Sequence, residues 1–288
     1  MRRPEDFEHH EVQLKDVRMH YVREGSGPPL VLLHGWPGFW WEWNKVIGPL
    51  AEYYDVIVPD HRGFGDSEKV DLDTVSNYSA EALMNDQAEF LDALGLDKVY
   101  LVGHDWGGIV AHKFLRNHPD RIIKAAIFDP ITPSYGASSG HYVEEDWYFL
   151  FHQLDMGLSL VSLNRDTRRL YYKHFLDHWS YRAPLLTDEE VEIFVDNYMK
   201  PGNVHGGFNV DRANFAPDSQ SWTELDMASS DLPVTMLWGV ADPVVPPAVD
   251  DIAKYYTNYT MELVDDSGHF MMLERPDLVI ERIKRDFR

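Results

Sequence analysis

Along the chain, short apolar runs rich in β-branched residues alternate with amphipathic stretches. Leu30-Val31-Leu32-Leu33, Val56-Ile57-Val58, Val99-Tyr100-Leu101-Val102, Ala125-Ala126-Ile127-Phe128 and Val234-Thr235-Met236-Leu237 lack the polar alternation of a half-exposed strand. Each predicts a strand buried on both faces, and Thr260 to Val264 predicts another. Between them, Ala80 to Leu94 spaces Leu83, Ala88, Phe90 and Leu91 through a charged segment and ends at Gly95, which predicts a helix with a glycine C-cap. Strands alternating with helices predict a mostly parallel α/β sheet flanked by helices.

The rhythm breaks between Pro133 and Pro217, where strand-like runs give way to helical, aromatic segments. Trp147, Tyr148, Phe149 and Phe151 form one cluster, Tyr171, Tyr172, Phe175 and Trp179 a second, Phe194 and Tyr198 a third. The pattern divides the chain into core residues 1–133, an inserted helical cap over 134–217, and a second core part over 218–288. Aromatic residues of such an insertion ordinarily form its own core, and the seam between two lobes is a usual place for a ligand pocket.

Composition narrows the chemistry. The 288 residues contain no cysteine, so disulfides, thiolate nucleophiles and cysteine-ligated metals are excluded, and any nucleophile is oxygen or nitrogen. A net charge of −22 repels a phosphate backbone, which argues against a nucleic-acid partner. The amino-terminal MRRPEDFEHHEVQLKD has no apolar signal stretch, and no apolar run approaches the roughly 20 residues that span a bilayer. A soluble, cytoplasmic protein with no membrane partner is expected. The sequence assigns no oligomeric state.

Gly103-His104-Asp105-Trp106-Gly107-Gly108 lies between the strand at Val99 and an amphipathic helix from about Ile109 to Asn117. This is the strand–turn–helix setting of a nucleophile elbow, with aspartate where serine is usual. His34-Gly35-Trp36-Pro37-Gly38 follows the strand at Leu30, Asp242 follows the strand at Val234, and His269 follows the strand at Thr260. A serine at the elbow attacks a carbonyl, whereas a carboxylate attacks a saturated carbon and becomes an ester itself. Asp105 therefore predicts alkyl transfer from a strained epoxide or a carbon–halogen bond.

With HGWPG at 34–38, DHRGFGDS at 60–67, GHDWGG at 103–108 and SGHF at 267–270, the chain resembles the α/β-hydrolase superfamily over essentially its whole length. It is most similar to the epoxide hydrolase branch, which is related to haloalkane and fluoroacetate dehalogenases. The resemblance implies Asp105 as nucleophile and His269 as base, with Asp242 or Asp129 orienting the histidine and Asp242 preferred. It also implies an oxyanion hole of the Trp36 and Trp106 amides and a ring-opening acid at Tyr148, with no cofactor or metal. The expected product is a vicinal diol from a small or medium apolar epoxide and water. Trp147, Phe151, His152 and Asp211 are expected to line the pocket.

One position departs from the pattern. The second lid tyrosine of epoxide hydrolases precedes an arginine, and here Asp211 stands before Arg212. An ionised aspartate cannot donate a proton; a protonated one needs burial. Haloalkane dehalogenation, with Trp106 and either Trp36 or Trp147 binding the halide, is the alternative. A haloacid is disfavoured because Trp106, Gly107, Gly108 and Ile109 stand where the fluoroacetate enzymes carry arginines. A non-catalytic receptor of the same fold is a minor alternative, against which the intact nucleophile, base and oxyanion motifs weigh.

Overall fold

The computed structural model describes residues 2–133, 145–215, 222–245, 247 and 249–287. The first residues assigned to the cap, 134–144, and its last, 216–217, lie outside them. Among the described residues one eight-stranded sheet organises the chain: β1 (His9–Gln13), β2 (Arg18–Gly25), β3 (Pro29–Leu33), β4 (Asp55–Pro59), β5 (Val99–His104), β6 (Ile122–Phe128), β7 (Val234–Gly239) and β8 (Tyr259–Val264). The spatial order is β1-β2-β4-β3-β5-β6-β7-β8. From β4 to β8 every pairing is parallel, while β1 with β2 and β2 with β4 are antiparallel.

The continuous apolar runs are the parallel strands, and β4 and β5 are buried at every residue. Both faces of these strands are covered by helices, so neither has a polar side to show. The antiparallel strands escape the apolar-run criterion for the opposite reason. β1, His-His-Glu-Val-Gln, alternates between exposed and half-buried positions at the sheet edge, and β2 carries two arginines and a histidine among its apolar residues.

Helices α1 (Asn44–Ala51), α2 (Ala80–Ala93) and α3 (Trp106–Asn117) connect the first strands. Ser79 caps α2 by accepting from the Ala82 amide, and Gly95, at φ +66°, follows its C-terminus in the left-handed conformation that glycine tolerates best. Between β6 and β7 run α4 (Trp147–Gln153), α5 (Asp155–Val161), α6 (Arg165–His178), α7 (Asp188–Met199) and α8 (Asn203–Phe215). Past β7, α9 (Val249–Tyr255), α10 (Met271–Glu274) and α11 (Pro276–Asp286) complete the core. No described helix is long and apolar enough to cross a membrane.

The helices between β6 and β7 sit on loops at the carboxyl ends of the strands. The Tyr198 hydroxyl donates to the Pro37 carbonyl at 2.8 Å, and the Trp179 carbonyl accepts from the His269 amide at 2.8 Å. Those loops are themselves locked together. Buried Asp60 accepts from the amides of Trp40 and Asp66, each at 2.9 Å, and meets His20 Nδ1 at 2.7 Å.

Helix α3 packs on β3 and β5 so closely that a Cβ on Gly107 would lie 2.3 Å from the Leu33 carbonyl oxygen. Alanine at 107 would gain about 1 kcal/mol of helix propensity but collide with backbone that cannot rotate away. Gly107→Ala is expected to lose about 1–3 kcal/mol of stability in urea unfolding. A variant as stable as the wild type would contradict the close approach.

Candidate active site

β5 ends at His104, α3 begins at Trp106, and Asp105 turns the chain between them at φ 51° and ψ −119°. A non-glycine residue there carries about 1–3 kcal/mol of strain, which the packed strand and helix on either side sustain. The turn projects a buried carboxylate toward the loop after β3. Gly35 lies against it, and any Cβ at position 35 would fall 2.4 Å from the Asp105 side chain. That proximity lets the Trp36 amide donate to Asp105 Oδ1 at 2.7 Å, and the Trp106 amide also donates to the carboxylate. The two amides expected to form an oxyanion hole therefore converge on the side chain expected to be the nucleophile.

His269 reaches the other oxygen. Its Nε2 lies 3.7 Å from Asp105 Oδ2, beyond hydrogen-bond length, and has no hydrogen-bond partner although buried. Its Nδ1 lies 2.8 Å from Asp242 Oδ2, while Asp242 Oδ1 accepts from the amides of Val244 at 2.8 Å and Val245 at 3.1 Å. The carboxylate paired with the histidine is thus Asp242. Asp129 makes no such contact: its Oδ1 accepts from the Gly239 amide at 2.8 Å, and its Oδ2 is buried without a partner. Burial, reinforced by the Asp242 charge, pushes the Asp129 carboxyl well above the usual carboxylate range, so it is held neutral.

Sequence motifs did not reveal the support behind His269. His104 Nε2–H donates to the His269 carbonyl at 2.8 Å, and its Nδ1 lies 3.2 Å from Glu42 Oε1, which also accepts from the Gly35 amide at 3.2 Å. Through His104, Glu42 ties the loop after β3 to the His269 backbone, yet it sits in a tryptophan-rich turn with no motif of its own.

On the helical side, Tyr148 of α4 is buried with its ring parallel to the Trp36 indole, 5.5 Å away. Trp147 is a different matter. One residue earlier on a helix is about 100° around it, and Trp147 is 41% exposed, stacked on the outer flank of Phe175. The expectation that it lines the pocket is corrected accordingly. Phe151 is half-buried against Trp147 and Tyr171.

His152 and Asp211 are both fully buried and bonded to each other, His152 Nδ1 to Asp211 Oδ2. His152 Nε2 meets the Tyr171 hydroxyl at 2.6 Å, and the Trp106 indole lies close enough to Asp211 to lower its proton affinity. The departure at 211 thus stands beside Trp106, the residue that follows Asp105.

A family model for the alpha/beta hydrolase fold matches residues 28–276. A soluble epoxide hydrolase of Corynebacterium sp. (strain C12) is 31% identical across 98% of both chains. The chain is an α/β hydrolase. A fluoroacetate dehalogenase of Burkholderia sp. is 34% identical over 70% of this hydrolase and 67% of its own length. Among solved structures, the ligand-free epoxide hydrolase CorEH superposes with a TM-score of 0.85 at 30% identity, covering 98% of each chain.

Electrostatics distinguish the buried carboxyl groups Asp105 and Asp211 of the hydrolase's site. Burial raises Asp105 above its ordinary value, opposed by His269, His104 and the two amides. Burial raises Asp211 well above the ordinary range, the Asp105 charge adds to this, and the Trp106 indole opposes it. Burial also lowers His152 and raises Tyr171, which favours the neutral forms of Asp211, His152 and Tyr171 together. The partners in this network belong to three different helices, which is why the sequence offered His152 and Asp211 as pocket residues without pairing them.

Burial alone would strip the proton from His269, but the charge and hydrogen bond of Asp242, with the Asp105 charge, outweigh it and push the imidazole up to about 10. A histidine raised in the folded state stabilises the fold fully below its unfolded value near 6.5, and that contribution is lost as pH rises toward about 10. Asp242→Asn removes the main cause of the shift. The wild-type advantage over Asp242→Asn in urea unfolding is expected to shrink between pH 6.5 and 10; an unchanged difference across that window would contradict the assignment.

Proposed function

We propose that this α/β hydrolase opens epoxides to vicinal diols through an ester on Asp105. The observation that carries the reading is the division of labour between the two Asp105 oxygens. Oδ1 is held by the Trp36 amide at 2.7 Å, with the Trp106 amide also donating to the carboxylate, while Oδ2, the oxygen 3.7 Å from His269 Nε2, is the one to attack a ring carbon. The same amides then polarise the ester carbonyl and stabilise the tetrahedral oxyanion when water attacks it. His269 is the base for that water, oriented by Asp242.

The protonation state of His269 is appropriate to this order of events. In the free site, the Asp105 carboxylate is one of the charges holding a proton on the imidazole. Alkylation of Asp105 removes that charge, so His269 gives up its proton more readily at the stage where a base is required. Tyr148 is assigned as a ring-opening acid, since a phenol stays protonated at neutral pH and its ring lies against Trp36 of the oxyanion loop. Each step uses groups of the chain and needs no cofactor. Helices α4–α8 act as the cap of this site, within the division 1–133, 134–217 and 218–288.

The halide reading is weaker in three dimensions. Trp147 lies on the outer flank of α4, and the Trp106 indole is engaged by Asp211, so two of the three indoles suited to a departing halide are unavailable for it. Positions 106–109 supply no cation for a haloacid carboxylate.

Styrene oxide is expected to yield diol with the wild type and none with Asp105→Ala. A single turnover in heavy-oxygen water is expected to label the Asp105 carboxylate before the product, read by peptide mass spectrometry; label appearing only in the diol would refute an ester route. His269→Gln is expected to accumulate the alkyl-enzyme as a mass increase equal to the epoxide. Of the two carboxyl groups near the histidine, Asp242→Asn is expected to lower kcat about 10⁴-fold. Asp129→Asn, replacing a neutral carboxyl by a neutral amide, is expected to remain active, and equal losses in the two variants would reverse the assignment.

A further inference from the structure

Asp211 occupies a position whose surroundings suit proton donation. It lies one helical turn beyond Gly207 on α8, and a Cβ at Gly207 would sit 3.1 Å from the Trp36 indole nitrogen. Residues four apart share a helix face, so the face carrying Asp211 is the one laid on the oxyanion-loop tryptophan. The Trp106 indole and the Asp105 charge both act on Asp211, which places it by the nucleophile as well. One of its oxygens, Oδ2, is bonded to His152; the other, Oδ1, is fully buried with no hydrogen-bond partner. Leaving a polar atom unpartnered in such a place is costly, and a ligand acceptor would relieve that cost.

We propose that Asp211 is a general acid for epoxide opening, presenting its proton at Oδ1, with His152 and Tyr171 as positioning residues. The proposal rests on the epoxide reading and adds an acid to it beside Tyr148. The network has two neutral arrangements. In one, the Tyr171 hydroxyl donates to His152 Nε2, His152 Nδ1–H donates to Asp211 Oδ2, and the acid proton stands free on Oδ1. In the other, the acid proton lies between Oδ2 and Nδ1, and Nε2–H donates to the Tyr171 oxygen. An epoxide oxygen is a hydrogen-bond acceptor, so its arrival at Oδ1 favours the first arrangement and brings the acid proton to the atom that needs it.

The step balances within the chain and its substrates. Asp105 Oδ2 bonds to the ring carbon, the carbon–oxygen bond breaks with its electron pair on oxygen, and that oxygen takes the proton from Asp211. The Asp211 carboxylate left behind is held by His152 Nδ1–H, with the Trp106 indole nearby lowering its proton affinity. The proton that His269 gives up as the Asp105 charge disappears reloads Asp211; when water then attacks the ester carbonyl, one of its protons passes to the neutral His269 and restores the imidazolium as the bond from the ester carbonyl carbon to Oδ2 breaks. The other ends on the second hydroxyl of the diol.

A proton donor matters most when the leaving oxygen is most basic, so the test varies that basicity while keeping the substrate small. Propylene oxide, epifluorohydrin and trifluoromethyl oxirane leave progressively less basic oxygens. Alkylation rates are read by intact mass in a His269→Gln background, and diol formation in the otherwise wild-type enzyme. Asp211→Asn, of equal size and still able to accept from His152, is expected to slow alkylation by about 100-fold with propylene oxide and by less than about tenfold with trifluoromethyl oxirane. Tyr171→Phe, which frees the His152 tautomer, is expected to show a smaller loss graded in the same direction. A loss uniform across the series, as a merely structural role would give, or no loss in Asp211→Asn, overturns the proposal while leaving the epoxide reading intact. Absence of diol from the wild type on all three epoxides overturns that reading and the proposal with it.

Discussion

The strained turn at Asp105 is the constraint on which the rest of the site depends. A carboxylate at φ 51° between β5 and α3 is sustained only because α3 is pressed onto β3 and β5, with no room for a Cβ at Gly103 or Gly107. The same tightness brings Gly35 against the carboxylate and points the Trp36 amide at Oδ1. Relaxing the turn would separate the acid from its amides and from His269 together. Backbone close approach in the first half of the chain thus sets the geometry of chemistry completed by β7, β8 and α8.

Much of this was legible in sequence because its physical causes are local. Doubly covered strands have to be apolar throughout, so the runs at Leu30, Val56, Val99, Ala125 and Val234 declared themselves, and so did the elbow, whose glycines are demanded by contact distance. β1 and β2 did not, since an edge pair with charged and histidine side chains has no continuous apolar run. The position of Asp211 before Arg212 was legible as a departure. Its meaning depends on α4, α6 and α8 packing together, which no spacing in the chain expresses. Trp147 was placed in the pocket by adjacency to Tyr148, and helical geometry sends neighbouring residues to different sides. The choice between Asp242 and Asp129 was open in sequence because both follow parallel strands at the same edge of the sheet.

The chain's acidic excess looks at first like a matter of solubility, and for surface carboxylates it is. Inside the site the acids are differentiated by what they face. Asp242 meets two amides and an imidazole; Asp105 meets two amides and the imidazole's other side; Asp129 meets one amide and the Asp242 charge. Asp211 meets an imidazole that burial keeps neutral. Two carboxyl groups with strong donors beside a cationic histidine are suited to nucleophile and orienter. Burial raises the other two, Asp129 and Asp211, well above the usual carboxylate range, and of these Asp211 lies beside Trp106.

This arrangement gives the charge on Asp105 a double role in the proposed cycle. It raises the proton affinity of His269 and of Asp211 together, since both groups lie within its field. While Asp105 is ionised, the histidine is held as a cation that steadies the nucleophile, and the lid carboxyl is held as a loaded acid. As the Asp105 oxygen bonds to carbon its charge disappears, and the affinity of both groups falls at once. Asp211 then releases its proton to the opening oxygen as that oxygen becomes basic, and His269, once its own proton has reloaded Asp211, is free to deprotonate water when the ester is in place. One bond-forming event switches acid and base in the order hydrolysis requires, without movement of any helix.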